Sequence, residues 1–127
     1  MGWGRGSAAQ TGVIAVTLLV CLLVKQEHVN AAVYTVGGPS GWTYNTDTWP
    51  NGKRFRVGDV LIFKYDPTSH NVVAVDRNGY ESCSAPGGAK VFRSGKDQIQ
   101  LASGLNYFIC NYPGHCQSGM KIAIKAL

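Results

Sequence analysis

From Ala32 onward the chain is built from short apolar and β-branched runs, each cut off by turn-forming residues before any helical pattern develops. An amphipathic helix needs apolar residues three and four apart over about ten or more positions, whereas a strand needs only about four to eight residues and reads with a period of two. The runs are AVYTV (32–36), VLIFKY (60–65), NVVAV (71–75), DQIQL (97–101), LNYFIC (105–110) and MKIAIKA (120–126). The last alternates cleanly, with Ile122 and Ile124 on one face and Lys121 and Lys125 on the other. Gly37-Gly38-Pro39 and Asp66-Pro67-Thr68-Ser69 break the runs. A Gly- and Ser-rich excursion from Asn78 to Lys90 leaves room for a short helix. This spacing predicts an all-β single domain, an antiparallel sandwich or barrel. Trp42 and Trp49 are expected to pack over one end of its core.

The first thirty or so residues follow a different rule. Arg5 precedes an unbroken apolar run, Gly12 to Val24, and a polar stretch then ends in Val29-Asn30-Ala31. A basic start, a short apolar centre and small residues two apart predict a secretory signal peptide, residues 1–31, cleaved before Ala32. The run is short for a membrane span, which takes about 20 residues, so no anchor is expected in the mature chain. The mature domain is then 32–127. Losing Arg5, Lys25 and Glu27 with the leader leaves a net charge of +4 on it.

Cysteine usage narrows the chemistry. Cys21 leaves with the leader, and Cys83, Cys110 and Cys116 remain. In an oxidising compartment two pair and one is left over. Pairing Cys110 with Cys116 would strand Cys83 far along the chain from His115. Pairing Cys83 with Cys110 would leave Cys116, whose side chain on an extended segment points away from its neighbour His115. The Cys83–Cys116 pairing frees Cys110 and is preferred. Cys110, His115 and Met120 then stand five residues apart on one loop between two strand runs. His70, the one other histidine of the mature chain, precedes the run 71–75. A thiolate, two imidazoles and a thioether suit copper, and this is the ligand set of blue copper electron-transfer sites. Zinc wants four strong N or S donors, and a thioether is a poor fourth.

At these residues the chain resembles the phytocyanins, the plant blue copper proteins, and most of all their plantacyanin or basic blue protein branch. The segments that carry the resemblance are AVYTVGG, GWTYNTDTWP, GKRFRVGDVLIFKYDPTSHNVV, SGKDQIQL and YFICNYPGHCQSGMKIAIKAL. It implies a cupredoxin-like Greek-key β-sandwich. It implies one copper held by His70, Cys110, His115 and Met120, with Met120 as weak axial ligand where related stellacyanins carry glutamine. It also implies the Cys83–Cys116 disulfide, and an Asn71 backbone N–H bonded to the Cys110 sulfur. In function it implies a secreted, monomeric electron carrier of the apoplast or cell wall rather than an enzyme. Some family members have been tied to extracellular signalling, including pollen-tube guidance.

The positive charge predicts an acidic redox partner or an acidic cell-wall polysaccharide, drawn by attraction that salt screens. Lys53, Arg54 and Arg56 are its densest cluster. No phosphate-cradling glycine motif and no basic–aromatic interleaving is present, so neither a nucleotide nor a nucleic acid is expected.

Overall fold

The structure, a computed structural model, describes residues 30–127. The expected leader, 1–31, lies almost wholly outside the described residues. Seven strands form two sheets. One has the order β1 (Val33–Thr35), β2 (Val60–Lys64), β5 (Lys96–Gln100). The other has the order β4 (Val91–Phe92), β3 (Val72–Val75), β6 (Gly104–Ile109), β7 (Lys121–Ala126). One short helix, α1 (Arg77–Ser82), fills the excursion after β3.

The six expected runs all contain strands, within a residue or so of the expected limits. The two-residue β4 was not foreseen, because VF carries too little pattern to stand out. The sandwich is also not purely antiparallel. β1 pairs in parallel with β2, Val33 opposite Val60. The long connection from Val36 to Asp59 permits this, because a parallel pair needs a crossover and cannot be made by a tight hairpin.

Alternation explains which side chains meet. In β2, Leu61 and Phe63 are buried, and in β7 so are Ile122, Ile124 and Ala126. They close on Val72, Phe108 and Trp42 between the sheets. Trp42 stands edge-on to Phe63 with ring centroids 5.1 Å apart, and Phe63 edge-on to Phe108 at 5.3 Å. Each such buried side chain is worth about 1.5–3 kcal/mol. β3 is buried on both faces. Val72 faces the main core, while Val73 packs with Ile109 and Cys116 beneath α1. That double burial is why NVVAV reads as a continuous apolar run and not as an alternation.

α1 starts at Asp76, whose side chain accepts the Gly79 amide at 2.8 Å, as an N-cap should. A Cβ on Gly79 would stand 2.7 Å from the Ser84 carbonyl oxygen and 2.8 Å from Val75 Cβ, so the helix can lie this close to β3 only with glycine there. Among the described residues no helix is long and apolar enough to cross a membrane.

Candidate metal centre

Three neighbouring strands of the larger sheet end at one edge of the molecule, and each end presents one of the expected donors. His70 precedes β3, Cys110 follows β6 and Met120 precedes β7. His115 sits on the loop between the last two.

The turn before β3 is built by Asp66. Its carbonyl accepts the amides of Ser69 and His70 at 3.1 and 3.0 Å. Its carboxylate accepts the amide and hydroxyl of Thr68 at 2.9 and 2.7 Å. Such local side-chain bonds favour turns over strand, and this one delivers His70 at the strand entrance. Its neighbour Asn71 is buried and held twice. The Trp42 indole N–H donates to the Asn71 carbonyl at 2.9 Å, and the Asn71 side-chain oxygen accepts the Asn111 amide at 2.8 Å. Asn71 therefore ties the residue after His70 to the residue after Cys110. The ties through Trp42 and Asn111 could not be read from the sequence, because their partners lie 29 and 40 positions away.

The ligand loop is stitched to itself and to the Thr43–Asp47 segment. Cys110 donates its amide to the Met120 carbonyl at 3.0 Å, and Met120 donates to the His115 carbonyl at 3.1 Å. Gly119 has a φ of 83°, and a Cβ there would meet the Asn45 backbone at 3.0 Å. Its carbonyl accepts the Asp47 amide at 3.2 Å and the Thr46 hydroxyl at 3.3 Å. Cys116, the residue directly after His115, is bonded to Cys83 at the C-terminal cap of α1, with Cα atoms 5.6 Å apart. Among the described residues Cys110 is left as the free cysteine, and it is fully buried.

His70 Nδ1 and His115 Nδ1 are 3.1 Å apart, and Cys110 Sγ lies 3.5 Å from His115 Nδ1. The three donor atoms fall within 4.8 Å of one another. Two donors bound to one transition metal at about 2.0–2.3 Å are separated by roughly 3–4 Å, so these spans match one coordination sphere. The donor chemistry fits copper: one sulfur from a buried thiol and two ring nitrogens, with no carboxylate in the cluster. Burial lowers the His70 pKa, the neighbouring His115 lowers it further, and Asp66 opposes both. The favoured neutral imidazole is the form that binds metal. Met120 is fully buried beside Cys110 in the same core cluster. Both imidazoles are half-buried. Tyr44 stands edge-on to them, at 6.0 Å from His70 and 5.2 Å from His115, and Tyr112 lies 5.7 Å from His115. These two tyrosines, which no local motif singles out, form an aromatic collar around the histidine edges.

A two-sheet β shell with a Cys-His-His cluster at one end defines a mononuclear metal-binding protein of cupredoxin type. The sequence matches the plastocyanin-like domain family over residues 42–120. It is 64% identical over 96 residues to the basic blue protein of Cucumis sativus, covering 76% of this chain and all of that one. It is 54% identical to the chemocyanin of Lilium longiflorum, covering 99% of each chain. The solved structure of cucumber basic protein, a blue copper protein, superimposes with a TM-score of 0.75, at 64% identity, over 76% of this chain and all of that one. The chain belongs to the phytocyanins, within the plastocyanin-like family.

Proposed function

We propose that this chain is a small one-electron carrier that binds one copper ion through His70, Cys110, His115 and Met120. The observation that carries the reading is the convergence of two imidazole nitrogens and one unpaired sulfur within 4.8 Å. Copper bound there supplies the Cu(I)/Cu(II) couple. Everything else is the work of the chain. Cys110 offers its sulfur from a position fully out of water, where the loop and Asn71 fix it from both sides. His70 and His115 hold their Nδ1 atoms inward, leaving ring edges half-exposed beneath the tyrosine collar as the exit for an electron. Met120, held by backbone bonds to both Cys110 and His115, would add its thioether as a fourth, weak donor. Donors anchored on three strand ends of a stiff sandwich move little when the charge changes, which is what fast electron exchange requires. Asn71 acts here as a positioning residue, and its amide remains the proposed donor to the Cys110 sulfur, which would tune the potential.

With Met120 closing the fourth position, the site is read as a carrier and not an enzyme. A monomer working outside the cell, in the apoplast or wall, with an acidic redox partner completes the proposal. Cleavage before Ala32 fits one feature of the fold. The Ala32 amide donates to the buried Asp59 carboxylate at 2.9 Å, so an α-ammonium released there would meet a ready counter-charge. Intact mass of the secreted protein tests that site directly. A second reading, an extracellular interaction protein in which redox is secondary, draws on the similarity to the lily chemocyanin.

Optical and EPR spectra of the copper-loaded protein test the first reading. It requires an intense visible thiolate-to-copper absorption that Cys110→Ser abolishes while the far-UV circular dichroism is kept. A colourless wild-type protein at one copper per chain would refute it.

A further inference from the structure

Lys53, Arg54 and Arg56 take no part in the metal centre, and the fold adds a fourth cation to them. Phe55 forms a parallel bridge with Ala126. The Leu127 amide donates to the Phe55 carbonyl at 3.2 Å and the Val57 amide to the Leu127 carbonyl at 3.3 Å. Phe55 and Ala126 turn inward, 6% and 1% exposed. Alternation along extended chain then turns Arg54, Arg56, Lys125 and Leu127 outward together, and all four are exposed. With Lys53 and Phe55 they line a cleft of about 530 Å³.

The cleft is built on a fixed floor. Phe55 stands edge-on to Tyr34 at 4.8 Å and is tilted against Trp49 at 5.9 Å. Lys53 Nζ sits over the Trp49 ring at 5.2 Å, and the Tyr34 hydroxyl donates to the Arg54 carbonyl at 3.3 Å. Its cations have no carboxylate partner. Among the described residues the one ion pair joins Arg77 to Glu81, on the surface of α1. The acid nearest in sequence, Asp59, is turned inward, its two oxygens spent on the amides of Ala32 and Arg56. Four unpaired cations around one concavity repel one another and gain by sharing an anion. The arginine forks suit planar oxyanions.

Shape decides the kind of anion. The volume lies within the roughly 300–1,000 Å³ of ligand clefts, and a concavity takes a narrow chain. A folded partner would instead want a complementary patch of about 800 Å². Leu127 and the aliphatic stems of the basic side chains offer apolar surface to ring faces between the charges. We propose that this cleft binds a linear acidic polysaccharide, its carboxylate or sulfate groups on Lys53, Arg54, Arg56 and Lys125 and its sugar rings against Leu127. The assignment gives a site to the acidic-polysaccharide partner and does not depend on the copper reading. Lys125 lies five residues along β7 from Met120, about 16 Å at strand rise. A bound polymer therefore leaves the histidine edges free.

Binding of the copper-loaded protein to polygalacturonate, dextran sulfate, neutral dextran and poly-glutamate tests this at fixed salt. The proposal expects retention by one or both acidic polysaccharides and none by neutral dextran. Which acidic polymer binds more tightly tells carboxylate from sulfate recognition. Arg54→Glu and Lys125→Glu should each weaken binding about tenfold or more, as befits loss of a charge-assisted contact. Lys96→Glu, the same charge change on β5, should stay within about twofold if only screened long-range attraction is lost. Visible absorption should be unchanged in all three variants. Equal weakening by Lys96→Glu would mean diffuse attraction and would overturn the site. So would failure of both acidic polysaccharides to bind, or cleft-dependent binding of poly-glutamate in their place.

Discussion

Tyr65 shows how closely single residues of the smaller sheet are tied to the core around the cysteine ligand. Its ring packs in the cluster that contains Cys110, and its hydroxyl donates to the Asp97 carboxylate. Asp97 is itself buried and also accepts the Ser94 hydroxyl at 2.6 Å. Burial first, and then the bond to Asp97, push the Tyr65 pKa well above its ordinary value, while a backbone bond at Gly95 works the other way. A raised value means that the folded state prefers the neutral phenol. Its contribution is thus complete below about pH 10, where free tyrosine titrates, and drains away as pH climbs from there toward the folded value. Thermal midpoints measured from pH 8 to 11.5 should fall more steeply for the wild type than for Tyr65→Phe, which has no proton to lose. Parallel curves would show that the phenol is not held neutral by the fold.

At the scale of elements, the ligand loop depends on a helix 33 positions away in sequence, through the Cys83–Cys116 bond. Closing a loop of that size restricts the unfolded chain by about 3–4 kcal/mol in the chain-entropy account. Cys83→Ala/Cys116→Ala should therefore lower the thermal midpoint by at least about 10 °C, at 4–8 °C per kcal/mol for a domain this small. It should keep the visible absorption at low temperature, since Cys110 and the histidines are untouched. A midpoint within about 2 °C of wild type would place the loop's stability in its backbone bonds instead. The sequence carried this element well, because its information is local: alternation in 120–126, an odd cysteine, and donors at regular spacing. What it did not carry is cross-chain register. Nothing local says that β1 runs parallel to β2, that Phe55 lies beside Ala126, or that Trp42 donates to Asn71. Each depends on which distant backbone comes alongside, and that is decided by packing between the sheets. Lys53, Arg54 and Arg56 were visible as a basic run, yet Lys125, which completes their cleft, became visible only with the bridge.

At the scale of the whole molecule, the two ends of the larger sheet are specialised differently. One gathers sulfur and imidazole in a buried, aromatic-rimmed cluster, and the other gathers unpaired cations around an open cleft. The shell between them is closed without the metal, because no buried side-chain nitrogen or oxygen among the described residues lacks a partner. The donors are held by backbone bonds and by Asn71, none of which needs an ion. It follows that removing copper should not unfold this domain, in contrast to small folds whose core is the metal site itself. Removal should cost only the linkage term, about 2.7 kcal/mol at free copper a hundredfold above Kd. At 4–8 °C per kcal/mol for a domain of this size, the midpoint of the chelated protein should lie some 10–20 °C below that of the loaded one. Its near-UV circular dichroism from Trp42 and Phe63, which pack edge-on in the core, should be preserved. Loss of that signal on chelation would show that the metal organises the sandwich. Equal midpoints would show that copper does not engage the folded site.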